Sequence, residues 1–161
     1  MTLQPQGRRD DLLRLFSHAH WANEEIFKAL QGSEVVSEKF MALFSHLLTA
    51  EKVWLERLNK RESTVLSIWP MYPLEDCGLL LQENATGYRL FITELKDGDL
   101  DSLLTYRSSK GIVFTSAVSD ILHHVSLHGS YHRGQISTYL QLDGLEPVNT
   151  DFIMFARLDA E

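Results

Sequence analysis

The sequence predicts an all-α fold, a four-helix bundle, and three observations carry that reading. Four segments repeat apolar residues at spacings of three and four, the period of a helix with one buried face. Between the second and third lies a stretch of about fourteen residues without the pattern, long for a turn between antiparallel neighbours and suited to a crossover. After the fourth, Asp151 to Arg157 carries Phe152, Ile153, Met154 and Phe155, apolar enough to close one end of a bundle. At 161 residues and 18.5 kDa the chain reads as a single domain, 1–161, large enough to bury roughly two thirds of its unfolded surface in one core.

The first helix is expected from Asp10 to Leu30, where Leu12, Leu15, Phe16, Ala19, Ile26, Phe27 and Leu30 set the period and Gly32 supplies a stop. It contains the string HAHWAN, in which His18 and His20 point in different directions and read as surface or rim residues. The second helix is expected from Glu38 to Asn59 behind Ser37 as N-cap, with Phe40, Phe44, Leu47, Leu48, Leu55 and Leu58 on a wide apolar stripe. Glu51 falls inside that stripe. An unpaired carboxylate there is costly, so Glu51 needs a cation, a hydrogen bond or a metal-bound group. It is either a buried partner for a base such as Arg133 or an acid/base group. His46 lies on the other side, beside Ala42, Ala50 and Val53, small residues that permit close helix approach.

Residues 60–73 break the pattern with Ser63, Trp69, Pro70 and Pro73. The third helix follows from Leu74 to Lys96, stopping at Asp97-Gly98. Leu103 to Arg107 and Ile112 to Phe114 then flank Ser108-Ser109-Lys110-Gly111, a short β-hairpin that must pack on the bundle. The fourth helix runs from Ser116 to Leu142 and ends at Gly144 and Pro147.

Composition excludes several classes of function. A net charge of −7 with no Lys/Arg cluster argues against a nucleic-acid partner. No apolar run fits a bilayer, and TLQPQGRRDD at the N-terminus has no signal-peptide core, so a soluble cytoplasmic protein is expected. The single cysteine, Cys77, excludes an internal disulfide and reads as a packing residue.

Chemistry concentrates in the fourth helix, where HHVSLHGSYHRGQ holds four of the seven histidines. His124, His128 and His132 recur every four residues, one helical turn apart. On a wheel of ~100° per residue, His132 lies about 40° from the centre of the apolar stripe, His128 about 80° and His124 about 120°, with His123 nearly opposite. His128 and His132 therefore lean inward, and Gly129 leaves room beside them. Such a pair is either half of a metal site or two hydrogen-bonded core histidines, and a metal site would need a third ligand from elsewhere.

The run HHVSLHGSYHRGQI closely resembles the hallmark of the DinB-like family, whose last long helix carries a histidine, three residues and His-Arg-Gly-Gln. HAHWAN in the first helix and FSHLLTAEKVWLERL in the second extend the resemblance over nearly the whole chain. It implies a bundle of up-down-down-up topology with the long crossover between helices two and three. It further implies one divalent metal held by a histidine of the second helix and two of the fourth, which fall on His46, His128 and His132. His124 and Asp120 are left as outer groups or solvated ones.

Three imidazoles without a fourth protein ligand describe an open site completed by water or substrate. Zinc and nickel suit it best, with iron or manganese as further options. Related families include thiol-dependent enzymes, so the resemblance implies a transferase joining a low-molecular-weight thiol to a small electrophile. The alternatives are a metal-dependent hydrolase, with Glu51 or a group beside the metal ligands moving protons, and a non-catalytic metal-binding stress-response protein. Arg133 either orients a carboxylate or binds an anionic substrate. The resemblance also implies a homodimer.

Overall fold

The apolar periodicities fold as helices close to the expected limits. The computed structural model describes residues 5–33, 37–96 and 98–158, with side chains from residue 7 onward. Asp97, part of the expected stop of the third helix, and residues 1–4 of the N-terminal stretch lie outside the described residues. The elements are α1 (Pro5–Gln31), α2 (Glu38–Leu58), α3 (Leu74–Glu94), a 3-10 turn (Asp99–Asp101), β1 (Leu103–Arg107), β2 (Val113–Ala117), α4 (Val118–Leu142) and α5 (Phe152–Leu158).

The first helix begins five residues before the expected Asp10, because Pro5 suits an opening turn. Near this end Arg8 is tied to Asp101 through two hydrogen bonds of 3.0 and 2.9 Å. Ser37 stands at the N-cap of α2 with extended backbone, yet its hydroxyl makes no capping bond; only its carbonyl accepts, from the amides of Phe40 and Met41. The strands pair antiparallel with Thr105 opposite Thr115, and β2 extends to Ala117, so the expected fourth helix loses its first two residues to the sheet. α5 does not close an end of the molecule. It lies along α1, where Phe152 and Phe155 flank the ring of His18, and none of its residues is buried.

α1 packs on α3 and α4, and α2 packs on the same two helices. The buried apolar residues form two clusters. One gathers Ile26, Leu30, Phe40, Phe44, Leu47, Leu48, Leu81, Ile136 and Leu140. The other gathers Leu12, Phe16, Leu58, Tyr88, Ile92, Leu122 and Val125.

Along each of the four long helices a buried polar residue lies between these clusters: Asn23, Glu51, Asn84 and Arg133. The Asn23 side-chain nitrogen donates to Glu51 Oε1 at 2.9 Å, while its oxygen accepts from Arg133 Nη1 at 2.8 Å. Asn84 donates to Glu51 Oε2 at 3.2 Å and to the Leu48 carbonyl at 2.9 Å. Tyr88 adds a 2.6 Å bond to the Glu51 carbonyl. Glu51 and Arg133 are thus joined through Asn23, and no direct ion pair between them occurs among the described residues. Gly129 does leave room, but the space is filled from its own helix: a Cβ there would lie 2.9 Å from Arg133 Nη1.

Burial raises the Glu51 carboxyl above its ordinary value of 4.5, against the pull of its amide donors and of Arg133. Burial likewise draws the Arg133 guanidinium down to about 10. Asn23→Leu would strip both charged groups of a partner at once and should cost about 3 kcal/mol, read from chemical denaturation. A carboxyl raised by folding binds its proton more tightly in the native state, so its stabilising contribution is complete below 4.5 and is lost as pH climbs through the raised value. The stability of the parent relative to Glu51→Gln should therefore fall as pH rises from about 4.5; a pH-independent difference would show that Glu51 keeps an ordinary pKa.

Candidate metal centre

His46 is placed by α2, and His128 and His132 by successive turns of α4 packed against it. Each offers a ring nitrogen, and these atoms all lie within 4.8 Å of one another. His46 and His132 are 6% and 7% exposed, and His128 is half-buried. The rings approach edge to face, with centroids 4.4 Å apart for His128 and His132 and 4.7 Å for His46 and His132.

The tautomers follow from the partners of the outer nitrogens. His46 Nδ1 lies 2.6 Å from the carbonyl of Ile68, which can only accept, so this nitrogen carries the proton. His132 Nδ1 stands 2.7 Å from the side-chain oxygen of Gln135 and donates in the same way. Both Nε2 atoms are left as bare lone pairs. His132 Nε2 faces His128 Nε2 at 3.1 Å. Two nitrogens bound to one ion at about 2.0–2.1 Å stand about 3.3 Å apart at the tetrahedral angle, so the donor set fits a metal.

Charge points the same way. Burial, together with His132, His46 and His124, pulls His128 down to about 4. Burial also lowers His46 and His132, against their hydrogen bonds to Ile68 and Gln135, which raise them. Three neutral imidazoles with converging ring nitrogens can serve as ligands at neutral pH, and the buried group could hold a metal ion.

The connection between α2 and α3 covers the site. Trp69 stacks on His46 with centroids 3.6 Å apart and planes 6° from parallel, on the segment that also delivers the Ile68 carbonyl. The segment is pinned at one end by Thr64, whose hydroxyl and amide donate to Glu56, and at the other by the Tyr72 amide, which donates to Ser45 Oγ at 3.1 Å. His46 and His128 open onto a cleft of about 1140 Å³ between α2, this connection and the hairpin.

Other residues singled out by sequence fall elsewhere. His124 is exposed and rests against Trp54, its ring 5.6 Å from His128 but outside the group of three. His18, expected on the surface or rim, is buried, its Nε2 2.8 Å from the Thr150 carbonyl. His20 meets Glu24 at 3.3 Å. Cys77 is a buried free thiol beside Ser45. Glu51 lines a groove with residues of α1 and α3 and not the histidine cleft, and both its oxygens are engaged, so it is not placed to move protons at the histidines. Gln135 and Ile68 were given no role by sequence, and Trp69 only that of breaking the helical pattern. Gln135 sat within the fourth-helix string three residues beyond His132, a helical spacing that could have marked it.

A model of the DinB family matches residues 8–161. The chain is 26% identical over 166 residues to Protein DinB of Bacillus subtilis (strain 168), an alignment spanning 91% of this chain and 94% of that protein. It is 24% identical over 130 residues to the Uncharacterized protein YizA of the same strain, spanning 81% and 79%. With the family model covering nearly its full length, over a helical fold whose second and fourth helices bring three histidines together, the chain belongs to the DinB family.

Proposed function

We propose that this chain binds one divalent metal ion through His46, His128 and His132, and that it is a metal-dependent transferase acting with a low-molecular-weight thiol on a small electrophile. The observation that carries the metal reading is the 3.1 Å approach of His132 Nε2 to His128 Nε2 while the Nδ1 protons of His46 and His132 are spent on Ile68 and Gln135. The His132 lone pair can take either a proton of His128 or a cation shared with it, and the third ring nitrogen, from His46, favours the cation. The bound metal would supply Lewis-acid activation, easing proton loss from a thiol or water and polarising a carbonyl. Ile68 and Gln135 hold the two rings in the tautomer that ligation requires. Trp69 shields one face of His46 from water. The transferase reading rests on the family resemblance, and zinc and nickel are the preferred ions.

We further infer an up-down-down-up four-helix bundle with its crossover at residues 60–73. Supporting it, Ser45 meets Cys77, Glu51 meets Asn84 and Leu55 lies against Gly87, so numbering rises together along α2 and α3. Along α1 and α3 it runs oppositely, with Glu24 at Gln82, Phe16 at Tyr88 and Arg9 at Leu95. His46 near His132 and Trp54 near His124 support α4 antiparallel to α2.

Elemental analysis of untagged protein purified without a nickel column should find one equivalent of metal. Alanine at His46, His128 or His132 should weaken binding beyond the about 10–100-fold typical of outer-shell changes, while His124→Ala should cost less than about 10-fold. Binding lost in His124→Ala but kept in His132→Ala would move the ligand pair one turn earlier. Thiol-dependent turnover of a model electrophile by the loaded protein would support the transferase. Hydrolysis without thiol would replace it with a hydrolase, and metal binding with neither would leave a non-catalytic metal-binding protein. The homodimer belongs to the same proposal; sedimentation at micromolar concentration should give twice 18.5 kDa, and a monomer would count against it.

A further inference from the structure

The cleft that opens onto His46 and His128 has a second end of different chemistry. There it is lined by Arg57, Lys60, Arg61 and Arg107, with Glu62 the one acidic residue among its lining. In a chain with 22 acidic and 15 basic residues, four cations beside one carboxylate is a local reversal of sign. The walls between the two ends carry Trp54, Tyr106 and Phe114, with Trp54 and Tyr106 edge to face at 5.0 Å.

Arg57 is not a freely solvated arginine. Its guanidinium lies 4.5 Å over the ring of Trp54 and 5.2 Å over Tyr106, and Nη2 donates to the Arg107 carbonyl at 2.8 Å. No carboxylate pairs with it among the described residues, so a fixed, partly desolvated cation faces the cleft without a counter-charge. Lys60 stands at the same rim, in the left-handed position at φ 56° that ends α2.

We propose that this cleft binds an extended molecule bearing a carboxylate, which docks on Arg57 and Arg61, with an apolar or aromatic middle on Trp54, Tyr106 and Phe114 and its opposite end at His46 and His128. The placement of the reacting end rests on the metal reading above; the carboxylate site does not. From His46 to Arg57 the helix rises about 16 Å, and allowing for the reach of the arginine the occupant is on the order of 10 Å long. Guanidinium groups present paired donors that match a carboxylate, and stacking on Trp54 and Tyr106 presets one of them. The carboxylate belongs to the thiol or to the electrophile.

Calorimetric titration of the full chain, with and without metal, with biphenyl-4-carboxylate and its uncharged carboxamide tests this. The carboxylate should bind at least about 10-fold more tightly than the amide, the scale of a hydrogen bond to a charged group. That preference should disappear in Arg57→Met/Arg61→Met and be kept only in part in Arg57→Lys/Arg61→Lys, which retains the charges without the paired donors. Arg61→Met alone, at an exposed position, should already reduce it and guards against misfolding of the double variant. His128→Ala should keep the preference, so a failed metal site and a failed carboxylate site give different results. Equal affinity of the two probes, or a preference undiminished in both methionine variants, overturns the proposal. Competition of glutathione with the probe on the loaded protein assigns the carboxylate to the thiol, and its absence, with the preference intact, assigns it to the electrophile.

Discussion

The Asn23 side chain is the joint on which this fold turns. Glu51 and Arg133 are both removed from water, and a buried charge without partners is among the most costly features a core can contain. A direct ion pair would tie two helices. Inserting an amide that donates to one group and accepts from the other ties α1, α2 and α4, and Asn84 brings in α3. Because each bond has a direction, these bonds form together in one register of the four helices, and a slip by one turn would strand a charge between two apolar clusters. Apolar contacts alone tolerate such slips far better.

That register is what brings the histidines together. Glu51 lies five residues after His46 on α2, and Arg133 directly follows His132 on α4. Each helix therefore shows one face to the polar layer and a neighbouring face to the cleft, and fixing the first fixes the second. The orientation of two of the imidazoles, His46 and His132, is set locally, by the Ile68 carbonyl and Gln135. Gly129 belongs to the same economy, since its missing side chain lets the Arg133 guanidinium fold back along α4 toward Asn23.

Much of this was legible in the sequence, for reasons tied to period. The helices and the inward lean of His128 and His132 follow from spacing along one element, which a single chain displays directly. His46 did not follow from spacing, because its face of α2 is defined only by what α4 presents to it; the resemblance named it. Glu51 was legible as a buried carboxylate in need of partners, and Arg133 as its counterpart, but the intervening Asn23 was not. Asparagine inside HAHWAN carries no periodic signal, and its role exists only across three helices. His18 was misjudged because α5, which buries it, lies more than a hundred residues away along the chain.

The irregular connection at residues 60–73 is where sequence patterning is weakest and where the cleft acquires its character. In the proposed topology α2 and α3 run the same way and the segment between them travels the length of the bundle, so some of its backbone passes the mouth of whatever the helices enclose. Here that passage delivers the Ile68 carbonyl and the Trp69 ring to His46, while the start of the segment carries Lys60 and Arg61 past the end of α2. Helix α2 thus supplies a ligand candidate at one end of the cleft and Arg57 at the other, with Trp54 between, and the crossover runs back over the same span. The chemistry of the cleft is then a by-product of topology: a chain that must return outside the bundle becomes its wall, and a wall made of loop can vary its side chains without disturbing the polar layer that keeps the histidines in place.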